Sequence, residues 1–155
     1  MAKSILYNSN VANVSIGKKI KDRIQNLDSM FAPQSKFDSI NVPTNIKSDF
    51  VGDNTTSMNQ TFLGCSNLVD APVIPDSVTS LYETFSYCYK LVNAPVIGNS
   101  VTNMDSTFAY CSNLVDAPVI PNSVTNMDCT FLGCSNLVDS PVIPDSVTNI
   151  SSTFM

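Results

Sequence analysis

A repeat of 23 residues constrains the fold of this chain more than any other feature. Residues 101–123 and 124–146 have nearly the same sequence, and both begin Val-Thr-Asn-Met-Asp. A fixed period in this range is typical of stacked architectures, in which each repeat needs its neighbours to bury its apolar side chains. The repeat therefore predicts a stack of equivalent coils. A phenylalanine, and a cysteine three residues later, mark the period: Phe62, Phe85, Phe108, Phe131 and Phe154, with Cys65, Cys88, Cys111 and Cys134.

Each repeat contains two segments with strand-like composition. The first reads Leu-Val-Asp-Ala-Pro-Val-Ile, and its β-branched residues favour an extended backbone. The proline has no N–H for a strand ladder, so this strand must be short or interrupted. The second strand is Val-Thr-Asn-Met. The next segment, Asp-Ser-Thr-Phe, is predicted to form one short helical or 3₁₀ turn, with Asp105 or Asp128 as its cap.

Stacking of such coils would place equivalent residues in columns about 4.8 Å apart. Phenylalanine, cysteine, leucine, methionine and valine columns are predicted to fill the core. The pattern leaves open which side chains of the Leu-to-Pro strand face inward. Asn103, Asn126 and Asn149 form a further column, whose amides are expected to satisfy backbone groups at a turn. The predicted leucine column consists of Leu68, Leu91, Leu114 and Leu137.

Three regions follow from where the repeat is regular. Residues 55–155 hold the regular repeats, the last of which is only half complete. Residues 24–54 are interpreted as a degenerate capping repeat with a loop insertion. Phe31 and Phe62 are 31 residues apart, so the insertion adds eight residues near Pro43 to Asn54, which we expect to protrude as a loop. Residues 1–23 are an N-terminal lead-in or anchor, with basic candidate contacts at Lys18, Lys19, Lys21 and Arg23.

Charge is distributed unevenly along the chain. Residues 1–50 hold seven basic and four acidic residues, whereas residues 51–155 hold one lysine and nine acidic residues. An acidic array argues against nucleic acid as a partner, because phosphate binding needs clustered Lys and Arg. We interpret the asymmetry first as two ordinarily solvated faces. The alternative interpretation is head-to-tail contact between copies.

The residue inventory argues against an enzyme. The chain has no histidine, a single arginine and a single glutamate, Glu83, which removes most acid–base and nucleophilic arrangements. Cysteines 23 residues apart in an apolar setting are interpreted as a column of buried free thiols, since zinc sites use close pairs such as Cys-x-x-Cys. Stacked aspartates can collect calcium, but here asparagines lie among them and lower the repulsion without a metal. We predict no catalytic residues, no cofactor and no metal.

The combination Ile-Pro-Asp-Ser-Val-Thr, followed by Phe and then Cys-Ser-Asn-Leu, resembles the BspA-like leucine-rich repeats. The resemblance covers about residues 24–155. It implies a leucine-rich-repeat solenoid of mainly short parallel strands. Members of this family are typically bacterial surface adhesins, and similar repeats occur in phage structural proteins. In this sequence the Leu-to-Pro segment is one residue longer than in the family pattern and carries the extra proline.

These features predict a non-enzymatic solenoid for protein or glycan contacts. No secretory signal is recognisable at the start, and no stretch approaches the roughly 18 apolar residues of a membrane span. We therefore expect display on a phage or phage-like particle, as a tail, fibre or decoration component. The alternative is a fragment of a bacterial cell-surface adhesin. The last half repeat exposes apolar side chains and strand edges, which predicts a homo-oligomer or docking to another structural protein. A truncated chain is the alternative explanation of this ending.

Overall fold

The computed structural model describes residues 13–14, 17–32 and 44–155. Its regular elements are few: strand β1 at Asn13–Val14, helix α1 at Lys18–Lys21 and strand β2 at Asn45–Ile46. Strands β1 and β2 pair in parallel, with Asn13 opposite Asn45. The rest of the described chain consists of turns and single-residue bridges, so its regularity comes from stacking and not from long elements.

Two columns of parallel bridges connect successive coils. One column runs from Asn45 through Asp70 and ends between Asp116 and Asp139. The other runs from Asn26 through Ser57 and ends between Asn126 and Asn149. Beyond the first coil, bridged residues are 23 positions apart, as the period predicts. Each bridge is one residue long because a proline or a turn interrupts the extended backbone on either side.

The segment predicted as a helical or 3₁₀ turn is instead a succession of β-turns. The Thr107 N–H donates to the Met104 carbonyl at 3.1 Å, and the Cys111 N–H to the Phe108 carbonyl at 3.0 Å. The third residue of each turn has positive φ, 54° at Ser106 and 61° at Tyr110, as in a type II turn. A helix would use every N–H within the coil, whereas these turns leave alternate N–H groups to bond the next coil.

Those alternate N–H groups form continuous chains of peptide hydrogen bonds along the stack. The N–H of Phe62 donates to the Thr84 carbonyl at 2.9 Å, and the next peptide group donates from Phe85 to Thr107 at 2.9 Å. The same row continues from Phe108 to the Thr130 carbonyl at 3.0 Å. Each peptide group therefore accepts from one coil and donates to the next. Hydrogen bonds aligned in this way polarise one another, which strengthens the stack.

A phenylalanine stack runs through the core parallel to those chains. Its ring centroids lie 5.3 Å apart between Phe62 and Phe85 and 5.6 Å apart between Phe85 and Phe108, with nearly parallel planes. A column of buried threonines lies beside it, which the sequence analysis missed. The Thr107 hydroxyl is within hydrogen-bonding distance of two carbonyl oxygens, Leu81 at 2.9 Å and Met104 at 2.7 Å. The hydroxyls thereby satisfy backbone acceptors that face the core.

The first coil differs from the expectation for the insertion. Ile46, Phe50 and Val51 lie in the expected protruding loop, yet all three are buried. The Phe50 ring lies 5.8 Å from the ring of Phe31 and 6.2 Å from that of Phe62. The prediction of a protruding loop was therefore wrong in this part, because it weighed polar turn residues above three apolar ones. The extra residues widen the core of the first coil, where Phe31 stacks on Phe62 at 5.3 Å.

Candidate binding surfaces

One side of the stack presents a stripe of exposed valines. We call it the Pro–Val face; it comprises residues 70–76, 93–99, 116–122 and 139–145. The exposed fraction is 71% at Val96, 88% at Val119 and 89% at Val142, whereas the following Ile97 and Ile120 are buried. These facts settle the orientation that the sequence left open: in each of these segments the valine faces outward and the isoleucine inward.

Shallow grooves separate the valines of neighbouring coils. One groove, of about 410 Å³, lies between Val119 and Val142, and another, of about 400 Å³, lies between Val96 and Val119. Prolines form the walls: Pro118 and Pro141 line the first groove. Proline and valine side chains are rigid, so these grooves keep their shape at little cost in conformational entropy.

Carboxylates border the Pro–Val face on both sides. Asp70, Asp116 and Asp139 lie along one border and are exposed. Asp76 and Asp145 lie along the other, also exposed. The four segments of the face contain no lysine or arginine. No group of acidic or cysteine side chains in the described residues is arranged to hold a metal ion. The face is therefore apolar along its centre and negative along its edges.

The basic residues predicted as contacts divide into two kinds. The Lys21 ammonium lies 3.6 Å from the Asp49 carboxylate and donates to the Asp49 carbonyl at 2.8 Å. Its side chain is only 17% exposed, so Lys21 fastens α1 to the first coil. Lys18 pairs with Asp22 at 3.0 Å on the surface. The exposed basic residues on and just after α1 are Lys18, Lys19 and Arg23. The apolar Ile20, which lies among them, is 63% exposed.

The predicted core columns are buried in the middle of the stack and exposed at its last coil. Side chains of Phe108, Cys111 and Leu114 are fully buried, whereas Phe154 is 50% exposed. Phe62, Phe85 and Phe131 are buried, as are Cys65, Cys88, Leu68 and Leu91, while Cys134 and Leu137 are half-buried. The last coil borders a cleft of about 430 Å³ lined by Phe131, Leu137, Phe154 and Met155.

The cysteines are free thiols used as hydrogen-bond donors. The Cys88 Sγ lies 3.2 Å from the Phe62 carbonyl, and the Cys111 Sγ lies 3.1 Å from the Phe85 carbonyl. Burial raises the pKa of both thiols well above the ordinary value, and it raises the pKa of Cys134 to about 11. A thiol with a raised pKa stays protonated and is a poor nucleophile. This column contributes packing and hydrogen bonds.

Comparison with known proteins agrees with this geometry. The family model described as BspA type leucine rich repeat region matches residues 47–155 in six copies. The chain belongs to this family. No curated protein and no solved structure matches the sequence.

Leucine-rich-repeat chains of this type are generally binding scaffolds, and their known setting is the bacterial surface or the extracellular space. Among the described residues, no helix has the length and apolar character needed to cross a membrane. The repeats thus form a regular framework, and both its exposed columns and the positions that depart from the repeat are candidates for specific contacts.

One departure forms a second surface, which the sequence analysis did not single out. We call Tyr87, Tyr89 and Tyr110 the tyrosine cluster. The rings of Tyr87 and Tyr110 stack with centroids 4.8 Å apart, and Tyr89 meets Tyr87 edge-on at 6.2 Å. Tyr89 is 47% and Tyr110 is 39% exposed. The signal was available: Tyr87 and Tyr110 are one period apart, at a position where other repeats have glycine.

Proposed function

We propose that this chain is a non-enzymatic binding protein of the bacterial surface or extracellular space, and that the Pro–Val face is its protein-contact surface. Family membership supports the scaffold role. The observation that carries the proposal is the valine column, exposed by 71% to 89% at Val96, Val119 and Val142. Apolar patches with a polar rim are typical of interaction sites.

The proposed partner is a segment that combines an apolar side chain with basic residues. Carboxylates on both borders of the face would attract such a segment, and the grooves would accept its apolar side chain. This chain carries a segment with that chemistry, since Ile20 is exposed between Lys18, Lys19 and Arg23. We therefore assign a second copy of the chain as the occupant, with α1 of one copy against the Pro–Val face of the other.

Contact through stacked ends receives less support. The last coil exposes Phe154, but Phe31 in the first coil is only 2% exposed. Ring-on-ring stacking between copies would need both phenylalanines exposed. An α1-to-face contact needs only side chains that are already at the surface, and it uses the charge asymmetry between the two halves of the sequence.

Sedimentation velocity over a range of concentrations tests this assignment. We expect self-association that weakens as salt rises from 50 to 500 mM, because exposed charges are screened. Val119→Asp should weaken it at least tenfold. Asn113→Asp adds the same charge at an exposed turn outside the four segments of the face and serves as the matched control. A monomer at every concentration, or equal effects of the two variants, would contradict the proposal.

Display on a phage or phage-like particle is the narrower form of this function that the sequence predicted. It uses the same scaffold and differs in where the scaffold is presented. Mass spectrometry of purified particles and of cell-envelope fractions from the producing strain separates the two locations. Recovery of the chain in particles would support particle display, and recovery in the envelope fraction alone would support the surface-adhesin form.

A further inference from the structure

The tyrosine cluster lies where the regular repeats differ from one another. Tyr89 occupies a position held by serine in the other coils, at Ser66, Ser112 and Ser135. Tyr87 and Tyr110 share their position with Gly64 and Gly133. All four residues of that column have similar backbones, with φ between 61° and 72°. The other coils form with glycine and serine at these positions, so the fold does not require tyrosine there.

Stability does not account for the tyrosines either. A side chain at positive φ is strained relative to glycine, and both Tyr87 and Tyr110 carry this strain. Their one stacking contact offsets only part of the cost of the two strained positions. Tyr89 makes an edge contact and leaves nearly half of its surface in water. The three tyrosines therefore present partly exposed aromatic surface that the fold does not require.

We propose that the tyrosine cluster is a glycan-binding site, with a pyranose ring seated on the exposed surfaces of Tyr89 and Tyr110. The C–H bonds of a pyranose ring carry partial positive charge and pack favourably on the electron-rich face of an aromatic ring. The tyrosine hydroxyls can donate to and accept from sugar hydroxyls. This assignment goes beyond the proposed protein contact, which lies on the Pro–Val face.

Two charged side chains near the cluster suit the same ligand. Glu83 is the sole glutamate of the chain, and Lys90 is the sole basic residue after residue 50. The Gln60 amide donates to the Glu83 carboxylate at 2.7 Å and fixes its position. Burial, and then the nearby Tyr110, Tyr89 and Glu83, raise the pKa of Tyr87. A carboxylate and an ammonium provide acceptors and donors for sugar hydroxyls around the rings.

The size of the cluster favours a sugar over a protein partner. Tyr89 and Tyr110 together expose roughly 200 Å² of side chain, given the area of a tyrosine and the fractions above. A stable protein interface needs about 800 Å² from each partner. The exposed area instead suits one or two sugar rings. Affinity for one such unit would be weak, and repeated contacts along a polysaccharide or between several copies would raise it.

Tyrosine fluorescence provides a direct binding assay, because the chain contains no tryptophan and three of its five tyrosines form the cluster. The probes are malto-, cello- and chito-hexaose, followed by an array of bacterial and host glycans. We expect at least one glycan to change the emission in a saturable manner. Tyr89→Ser and Tyr110→Gly restore residues that other coils already contain, so both variants should fold, and each should weaken binding at least tenfold.

Thr148→Ala, at an exposed hydroxyl two coils beyond Tyr110, is the control and should bind as the wild type does. Self-association should be unchanged in Tyr89→Ser, and glycan binding should survive Val119→Asp, so failure of one proposal is distinguishable from failure of the other. The glycan assignment is overturned if the wild type binds no glycan on the array. It is also overturned if Tyr89→Ser and Tyr110→Gly bind as tightly as the wild type.

Discussion

Phe108 and Phe154 occupy the same position of the same repeat, yet Phe108 is fully buried and Phe154 is 50% exposed. Each ring stacks on the phenylalanine of the preceding coil, Phe108 on Phe85 at 5.6 Å and Phe154 on Phe131 at 5.7 Å. Phe108 has a second neighbour, Phe131, on its other side. Burial in this fold is therefore a property of the stack, and a single coil cannot supply it.

The largest expected effect comes from removing these rings. Phe108→Ala leaves a cavity between two coils and should lower the free energy of unfolding by about 4 kcal/mol. Phe154→Ala removes a half-exposed ring and should cost about 1 kcal/mol. Urea denaturation followed by circular dichroism measures both. Equal costs at the two positions would show that burial does not depend on the neighbouring coil.

Threonine substitutions in the same two coils sharpen the comparison. The hydroxyls of Thr107 and Thr153 both reach carbonyl oxygens within their own coil and in the preceding one. Neither bond needs a following coil, so Thr107→Val and Thr153→Val should each cost about 1–2 kcal/mol. Thr102→Val, at an exposed hydroxyl, is the control and should cost less. A much smaller cost at Thr153 than at Thr107 would contradict this account.

The thiol column predicts a loss of stability in alkali. Unfolded thiols titrate near their ordinary pKa, 9.0, whereas burial raises the pKa of Cys88 and Cys111 well above it in the folded chain. The unfolded state therefore releases protons first. Stability should be fully present below about pH 9 and should fall as the pH rises further. Unfolding measured from pH 7 to 10.5 checks this.

Two variants separate the thiols from Tyr82 and Tyr87, whose pKa values burial also raises. Cys88→Ala should make the decline with pH shallower, because it removes a buried thiol. Cys129→Ser should change the slope less than Cys88→Ala does, because burial raises the pKa of Cys129 less than it raises that of Cys88. An unchanged slope in Cys88→Ala would show that the buried thiols do not set the pH dependence.

The smallest expected effect is a difference in labelling rate among the thiols. Cys129 and the half-buried Cys134 should react with a disulfide reagent before the buried Cys65, Cys88 and Cys111. Peptide mapping after brief labelling gives the order. Simultaneous labelling of all five would indicate that the whole stack opens together under those conditions.

The period alone predicts much of this fold, because identical residues at a fixed interval must lie in columns once coils stack. It predicts a phenylalanine column, and in the structure the rings of this column are stacked with nearly parallel planes. It does not predict the backbone of the turns: Glu83 and Cys129 have positive φ, although neither is a residue type that signals it. Hydrogen bonds to neighbouring coils hold those residues in this conformation. The sequence of a single repeat does not show these bonds, so it cannot predict the positive φ.

The candidate sites were less predictable for the same reason. Which side chain of the Leu-to-Pro strand faces water depends on the neighbouring strand, where the Ile74 N–H donates to the Val96 carbonyl at 2.9 Å. Predicting the tyrosine cluster from the sequence would require two contacts to be known in advance. Tyr87 contacts Tyr89, two residues later, and it also stacks on Tyr110, one period later. Periodicity reveals columns, whereas contacts around a turn need its geometry.

Amide hydrogen exchange tests the central claim most directly, namely that coils are joined by chains of peptide hydrogen bonds one period apart. The N–H groups of Phe62, Phe85, Phe108 and Phe131 all donate to the next coil. We predict strong protection at these four amides. Fast exchange is predicted at Phe154, whose N–H has no hydrogen-bond partner among the described residues. Equal protection at Phe154 and Phe108, or fast exchange at all five, would contradict the stacked arrangement.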